Sequence, residues 1–278
     1  MDVANPEAGL AHDVEGTGTP VVLLHGMTFD RRTWRPVVDE LDGSVTSIAV
    51  DLPGHGGSSG RPTRLEEVVE QVHRLLESLA VERPVVVGHS MGAAVAALYA
   101  GTHPARGLAM VDQATEIEPF ARALHRIAPM LRGPAFGQAW AAIENGLGLD
   151  RIPEPVRTLV RDAHTVEQDV VLGYWDQLLT TDPAGMQAWI DARAAGIRAP
   201  CLAVFGRQAT EGERERVGRM PDAQLEEWVG DGHFVHLVDP ARFATRLRAF
   251  VDHCDHDSDQ RGDQGGAVAG EPVAGQRS

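Results

Sequence analysis

Cysteine is scarce in this chain: Cys201 and Cys254 are the two among 278 residues. Two thiols build neither a disulfide framework nor a zinc site of several thiolates. Cys201 follows Pro200 and opens an apolar run, which marks it as a core strand residue, whereas Cys254 stands near the start of a polar stretch. Positive charge is in deficit as well. The chain has 25 Lys and Arg against 40 Asp and Glu, a formal net charge of −15. An acidic chain of this kind repels phosphate backbones and anionic lipid surfaces, so neither nucleic acid nor membrane is an expected partner. No apolar run approaches the ~20 residues of a membrane-spanning helix. The opening segment, MDVANPEAGLAHDVEG, has no basic n-region and no apolar h-region, so no secretory signal is expected in it. The cytoplasm is the expected location, and a monomer or homodimer the expected state.

What is present is a core of ordinary richness, with 43% hydrophobic residues. The length suits one large α/β domain with an insertion, or two small domains. Four short apolar runs read as buried strands: Val21 to Leu24, Val45 to Val50, Pro84 to Val87 and Leu202 to Phe205. A fifth, Leu108 to Val111, is weaker. Helical patterns lie between them. Leu65, Val68, Val69, Val72, Leu75, Leu76 and Leu79 form one apolar stripe, and Thr63 with Glu66 has the spacing of a capping box ahead of it. Strands alternating with helices predict an α/β fold: a mostly parallel central sheet with helices on both faces. Ligands of such sheets bind at the carboxyl ends of the strands.

Residues 115–197 break this rhythm. They carry helical patterns and no convincing strand, and they hold Phe120, Phe136, Trp140, Tyr174, Trp175 and Trp189, six of fourteen aromatic residues. We read this stretch as a helical cap inserted into a core made of residues 1–114 and 198–253, with one or two of its rings facing a ligand. The last helix is predicted from about Asp239, a good N-cap followed by Pro240, to Cys254. The polar, Gly-rich residues 254–278 are expected to be disordered.

Four motifs carry chemistry. Gly88-His89-Ser90-Met91-Gly92 follows the strand PVVV and precedes a helix-forming run of small residues. A nucleophile must project from a tight turn, so the serine takes a strained backbone and the glycines leave room for it. The helix that starts there favours a developing oxyanion. Leu24-His25-Gly26-Met27 ends another strand; the amides of Met27 and Met91 are the expected oxyanion donors, and His25 reads as a structural residue. Asp51 to Ser59 is a turn-rich loop in which His55 reads as packing. Gly230-Asp231-Gly232-His233 lies just before the last helix. A histidine there fits the order nucleophile, acid, base, and its imidazole can take and return the serine proton. His236 is a rival, embedded in the apolar approach to the helix.

With these motifs in order over about residues 15 to 252, the chain resembles the α/β-hydrolase superfamily, in its capped, serine-nucleophile branch of esterases, lactonases and haloperoxidase-like enzymes. The resemblance implies Ser90 as nucleophile, His233 as base and the Met27 and Met91 amides as oxyanion hole. It implies an ester, lactone or thioester of a small-molecule substrate, and no metal or organic cofactor. The alternatives on the same site are a cofactor-free C–C bond hydrolase or natural-product tailoring enzyme, and a non-catalytic binding protein. In this family the acid usually follows the penultimate strand as Gly-x-x-Asp, but here the stretch reads Gly206-Arg207-Gln208-Ala209. The acid is therefore expected elsewhere: at Asp112 after the strand Leu108 to Val111, or else at Glu211 or Glu116.

Overall fold

The computed structural model describes residues 9–62 and 64–264, with residues 258–264 as backbone only. Seven strands form one sheet: β1 (His12–Glu15), β2 (Pro20–Leu24), β3 (Thr46–Val50), β4 (Val85–His89), β5 (Gly107–Val111), β6 (Cys201–Phe205) and β7 (Gln224–Glu227). Their order is β1-β3-β2-β4-β5-β6-β7. β1 is antiparallel to β3, and all other neighbours are parallel. The five apolar runs of the sequence are β2 to β6. The two edge strands, HDVE and QLEE, are half-buried or exposed and carry no apolar run to reveal them.

The helices are α1 (Arg35–Leu41), α2 (Leu65–Ser78), α3 (Met91–Thr102), α4 (Glu118–Leu131), α5 (Phe136–Glu144), α6 (Val156–Asp162), α7 (Gln168–Tyr174), α8 (Asp176–Thr180), α9 (Pro183–Ala194), α10 (Glu211–Gly218), α11 (Val235–Val238) and α12 (Pro240–Gln264). Successive strand residues point to opposite faces, and both faces are covered. Val22, Leu24, Ile48, Val86 and Met110 pack with Val68, Val72, Leu76 and Tyr99 of α2 and α3. Val21, Leu23, Ala49, Val87 and Val204 pack with Val37 and Leu41 of α1 and Phe243, Leu247 and Phe250 of α12. Each fully buried Val, Leu or Phe contributes about 1.5–3 kcal/mol, so this double core fixes the strand ends, and the loops on them, at one level. Residues 118–194, between β5 and β6, hold α4 to α9 and, as described, no strand.

Two local expectations are corrected. Helix α2 begins at Leu65 with Arg64 as its N-cap and no side-chain cap bond; Thr63 lies outside the described residues. Glu66 Oε1 lies 3.4 Å from Arg64 Nη2 and 3.6 Å from Arg193 Nη2. The last helix is capped as read, with Asp239 Oδ1 accepting from Arg242 N at 3.0 Å. It does not give way to disorder at residue 254, however, but runs to Gln264. Tertiary contacts hold it: Cys254 is buried, and Asp255 accepts from Thr19 Oγ1 at 2.7 Å and Arg106 Nη1 at 2.9 Å. Residues 265–278 of the expected tail lie outside the described residues.

Candidate active site

Ser90 sits between β4 and α3 at φ 52° and ψ −123°, a left-handed conformation that costs a non-glycine residue free energy. Crowding holds it there. A Cβ on Gly88 would lie 2.1 Å from Gly92 O, and one on Gly92 would lie 2.3 Å from Leu24 O. Only glycine fits at either position, which is the steric content of the G-x-S-x-G pattern. Ser90 N donates to Val111 O at 2.9 Å, tying the turn to the end of β5. Met91 is the first residue of α3, so its N–H has no carbonyl one turn earlier within the helix.

The loop after β2 runs beside this turn; a Cβ on Gly26 would come 3.5 Å from Ser90 Cβ. Both histidines read as structural are fully engaged. His25 donates Nδ1–H to Gly26 O at 2.8 Å and accepts from Leu52 N on Nε2 at 2.9 Å. His55 donates Nδ1–H to Pro53 O at 3.1 Å and accepts from Thr28 N on Nε2 at 3.1 Å. Each pattern requires the neutral ring. Burial lowers the His25 pKa to about 4 and, with His25 nearby, that of His55 to about 3.

His233 follows β7 on a loop in which Gly230 and Gly232 both have positive φ. Its Nδ1 lies 2.8 Å from Asp112 Oδ2, with the histidine side chain 21% exposed and the aspartate 9%. The other carboxylate oxygen of Asp112 accepts from Gly206 N at 3.0 Å, while its own N–H donates to Val204 O at 2.8 Å. The loop after β6, which lacks a carboxylate at Ala209, thus contributes a backbone donor to the carboxylate one strand away. Ala209 is buried and its N–H goes to Glu227 Oε1 at 3.2 Å. Of the other candidates, Glu116 accepts from Thr210 Oγ1 at 2.9 Å, and Glu211 is exposed in the first turn of α10. His236, the rival base, is fully buried with no hydrogen-bond partner on either ring nitrogen among the described residues, and burial lowers its pKa to about 3.

Ser90, His233 and Asp112 line one cavity of about 520 Å³, together with Met27 and Met91. Ala93, Ala94 and Ala97 of α3 line it as well. The helices of residues 118–194 supply four aromatic rings, Phe120, Tyr174, Trp175 and Trp189, rather than the expected one or two. Trp140 instead packs on Trp175, at 5.7 Å between centroids, and Phe136 stacks on Trp140. Tyr174 is also tethered, its hydroxyl donating to Pro53 O at 3.0 Å. Among the described residues no group of three or more His, Cys, Asp or Glu is arranged to hold a metal ion, and no helix is long and apolar enough to cross a membrane.

One contact of the site is not legible in the sequence. His89 donates Nε2–H to the carbonyl oxygen of His233 at 2.9 Å. His89 stands at the first unspecified position of G-x-S-x-G, and nothing in the spacing marks it out.

Known proteins resemble this chain in sequence and in fold. The acetyltransferase component of the acetoin cleaving system of Cupriavidus necator is 39% identical over 97 residues, which is 34% of this chain and 26% of that protein. The chain therefore spans about a quarter of the length of that relative. An uncharacterized protein of Mycobacterium tuberculosis is 26% identical over 270 residues, 87% of this chain and 78% of that one. Among solved structures, the enol-lactonase from Burkholderia xenovorans superposes with a TM-score of 0.68 over 87% of this chain and 96% of its own, at 20% identity, a likeness of fold. The sequence profile of the Alpha/beta hydrolase family matches residues 21–246. With that match over most of its length, the chain belongs to the α/β-hydrolase family.

Proposed function

We propose that the chain is a serine hydrolase that cleaves an ester, lactone or thioester of a small to medium apolar compound through an acyl-enzyme on Ser90. The observation that carries this reading is the 2.8 Å contact of His233 Nδ1 with Asp112, on the wall of the cavity that Ser90 also lines. With Nδ1–H donated to the carboxylate, Nε2 keeps the lone pair that a general base needs. His233 takes the Ser90 proton as Oγ attacks the carbonyl carbon, and the Met27 and Met91 amides receive the charge on the carbonyl oxygen. The imidazolium, stabilised by Asp112, returns the proton to the leaving group. Water then adds to the acyl-enzyme with His233 as base, and Ser90 is regenerated. Each step conserves protons and electrons within substrate, water and these side chains.

The helices of residues 118–194 act in this reading as a cap, and their rings with the alanines of α3 make an apolar seat for the acyl group. The enol-lactonase and acetyltransferase likenesses lie within the same acyl-transfer chemistry. The substrate is a small molecule; the acidic chain and a cavity of about 520 Å³ fit neither a polynucleotide nor a membrane surface.

A fluorophosphonate probe and a series of p-nitrophenyl esters test the reading. We expect stoichiometric labelling of Ser90, incorporation of solvent oxygen into the acid product, and a fall in kcat of at least about 10⁴-fold in Ser90→Ala. A chain that neither reacts with the probe nor turns over any ester from two to twelve carbons would be a binding protein instead. Turnover without incorporation of solvent oxygen would point to a rearrangement on the same site.

A further inference from the structure

We infer that His89 is a positioning residue that holds the base loop against the nucleophile turn through its bond to the main chain of residue 233; this inference rests on the assignment of Ser90 and His233 above. The base stands on a glycine-rich segment whose upstream end is bonded through Gly230 N to Gly206 O, Asp231 N to Trp228 O and Arg151 Nη1 to Gly230 O. Gly230 and Gly232, at φ 106° and 74°, precede it, and glycine gives the backbone its widest freedom. On its upstream side the segment is fastened by Gly232 N, which donates to Gly206 O at 2.9 Å. The side chain is fastened by Asp112. The carbonyl of residue 233 itself is fastened by the imidazole of His89, in a bond that spans 144 residues of sequence.

That imidazole has no freedom to do otherwise. It is 3% exposed. Its Nδ1 faces Gly26, where a Cβ would approach within 2.9 Å. Its ring lies 4.6 Å from that of His236, 4.7 Å from that of His233 and 4.9 Å from that of Phe234, centroid to centroid. Its backbone is joined to Ser90, whose own torsions are fixed by the contacts of Gly88 and Gly92. One side chain thus touches the loop after β2, the turn at Ser90 and the loop of His233. A neutral imidazole has one N–H, and here it points at the base loop. Desolvation, with His236 and His233 beside it, holds the His89 pKa well below its ordinary value, so the ring stays neutral with a single donor. An apolar core residue would fill the same space without that donor, and this difference makes the role testable.

The experiment compares H89L, of similar bulk without a donor, with H89Q, whose amide nitrogen reaches about as far as Nε2, on p-nitrophenyl butyrate. It includes thermal unfolding of each variant and repeats both substitutions in an H233A background. A displacement of a catalytic group by about 1 Å costs on the order of 10²-fold, so we expect H89L to lower kcat by about that much with KM within about twofold. H89Q should recover most of the loss. In H233A, where no base remains to be positioned, H89L should lower the residual rate no further. An H89L enzyme with unchanged kcat, an equal loss with and without His233, or a folded H89Q no better than H89L would each overturn the role. If H233A itself stayed fully active, the base assignment would fall, and the role of His89 with it. That outcome is distinct from the three above, all of which leave the base in place.

Discussion

The loops at the carboxyl ends of β2, β3, β4 and β5 and the helices of residues 118–194 lie on either side of the site, and they are built differently. In the loops nearly every polar group has an assigned partner: both nitrogens of His25 and His55, both oxygens of Asp112 and the amide of Ser90. Three residues there, Thr28, Ser90 and Asp112, hold positive φ without being glycine. The helical stretch presents mostly apolar side chains to the cavity. Its bonds to the rest of the chain lie mostly away from the cavity lining, as in Arg32 to Asp162 O, Arg151 to Gly230 O and Arg61 to Asp169, with Tyr174 to Pro53 O at the cavity itself. Strain and hydrogen bonds concentrate where reacting atoms must be held, and nonpolar packing dominates where a substrate must only be accommodated. Substitutions in the loops should therefore act on kcat, and those in the helices on KM.

The sharpest way to break this contrast is at the acid. Asp112→Asn keeps the shape but forfeits the charge that stabilises the imidazolium, and the expected loss in kcat is about 10⁴-fold. Glu211→Gln, on the exposed start of α10, should leave kcat within about twofold. Steady-state kinetics on one ester checks both, and similar mild effects would refute the role of Asp112. Next comes the turn itself. Gly88→Ala places a Cβ 2.1 Å from Gly92 O, so the chain must deform at its centre. We expect a loss of about 3 kcal/mol or more in denaturant unfolding.

On the other side of the cavity, Trp189→Ala should raise KM for medium-chain esters about tenfold with kcat within about threefold, because it removes binding shared by ground and transition states. A larger effect on kcat than on KM would erase the distinction between the two regions.

The smallest expected effect concerns pH. His25, His55 and His236 are buried neutral, with pKa values lowered to about 4, about 3 and about 3. In the unfolded chain they titrate near 6.5. Between 6.5 and those folded values the unfolded state binds protons that the native state refuses, so stability falls as pH falls through that window. His236→Phe fits the aromatic neighbourhood of Trp34 and Phe243 and removes two unpartnered nitrogens. It should keep or raise the unfolding temperature at pH 7. It should also lessen the loss between pH 6.5 and 5 by about 1 kcal/mol per pH unit. An unchanged acid slope would mean that His236 is not buried neutral.

These contrasts mark which parts of the molecule are local in origin. The turn at Ser90, the strand before it and the helix after it follow from contiguous residues, because a glycine requirement and an apolar alternation are properties of neighbours in the chain. The five inner strands were legible for the same reason. The edge strands β1 and β7 were not, since a strand covered on few sides needs no apolar run to form. The extension of α12 past Cys254 is not legible either, since the partners that Asp255 finds there, Thr19 and Arg106, are far away in sequence.

The sequence alone determined the chemical types at the site: a serine in a forced turn, histidines flanked by glycine, and an aspartate at a strand end. It also determined the alternation that buries both faces of the sheet. Only the tertiary structure decided which carboxylate meets His233, that His89 Nε2 bonds the carbonyl of His233, and that four rings of residues 118–194 line the cavity. Those outcomes depend on distances between segments far apart in the chain, and spacing in a sequence carries no record of them until the sheet brings its strand ends to one level.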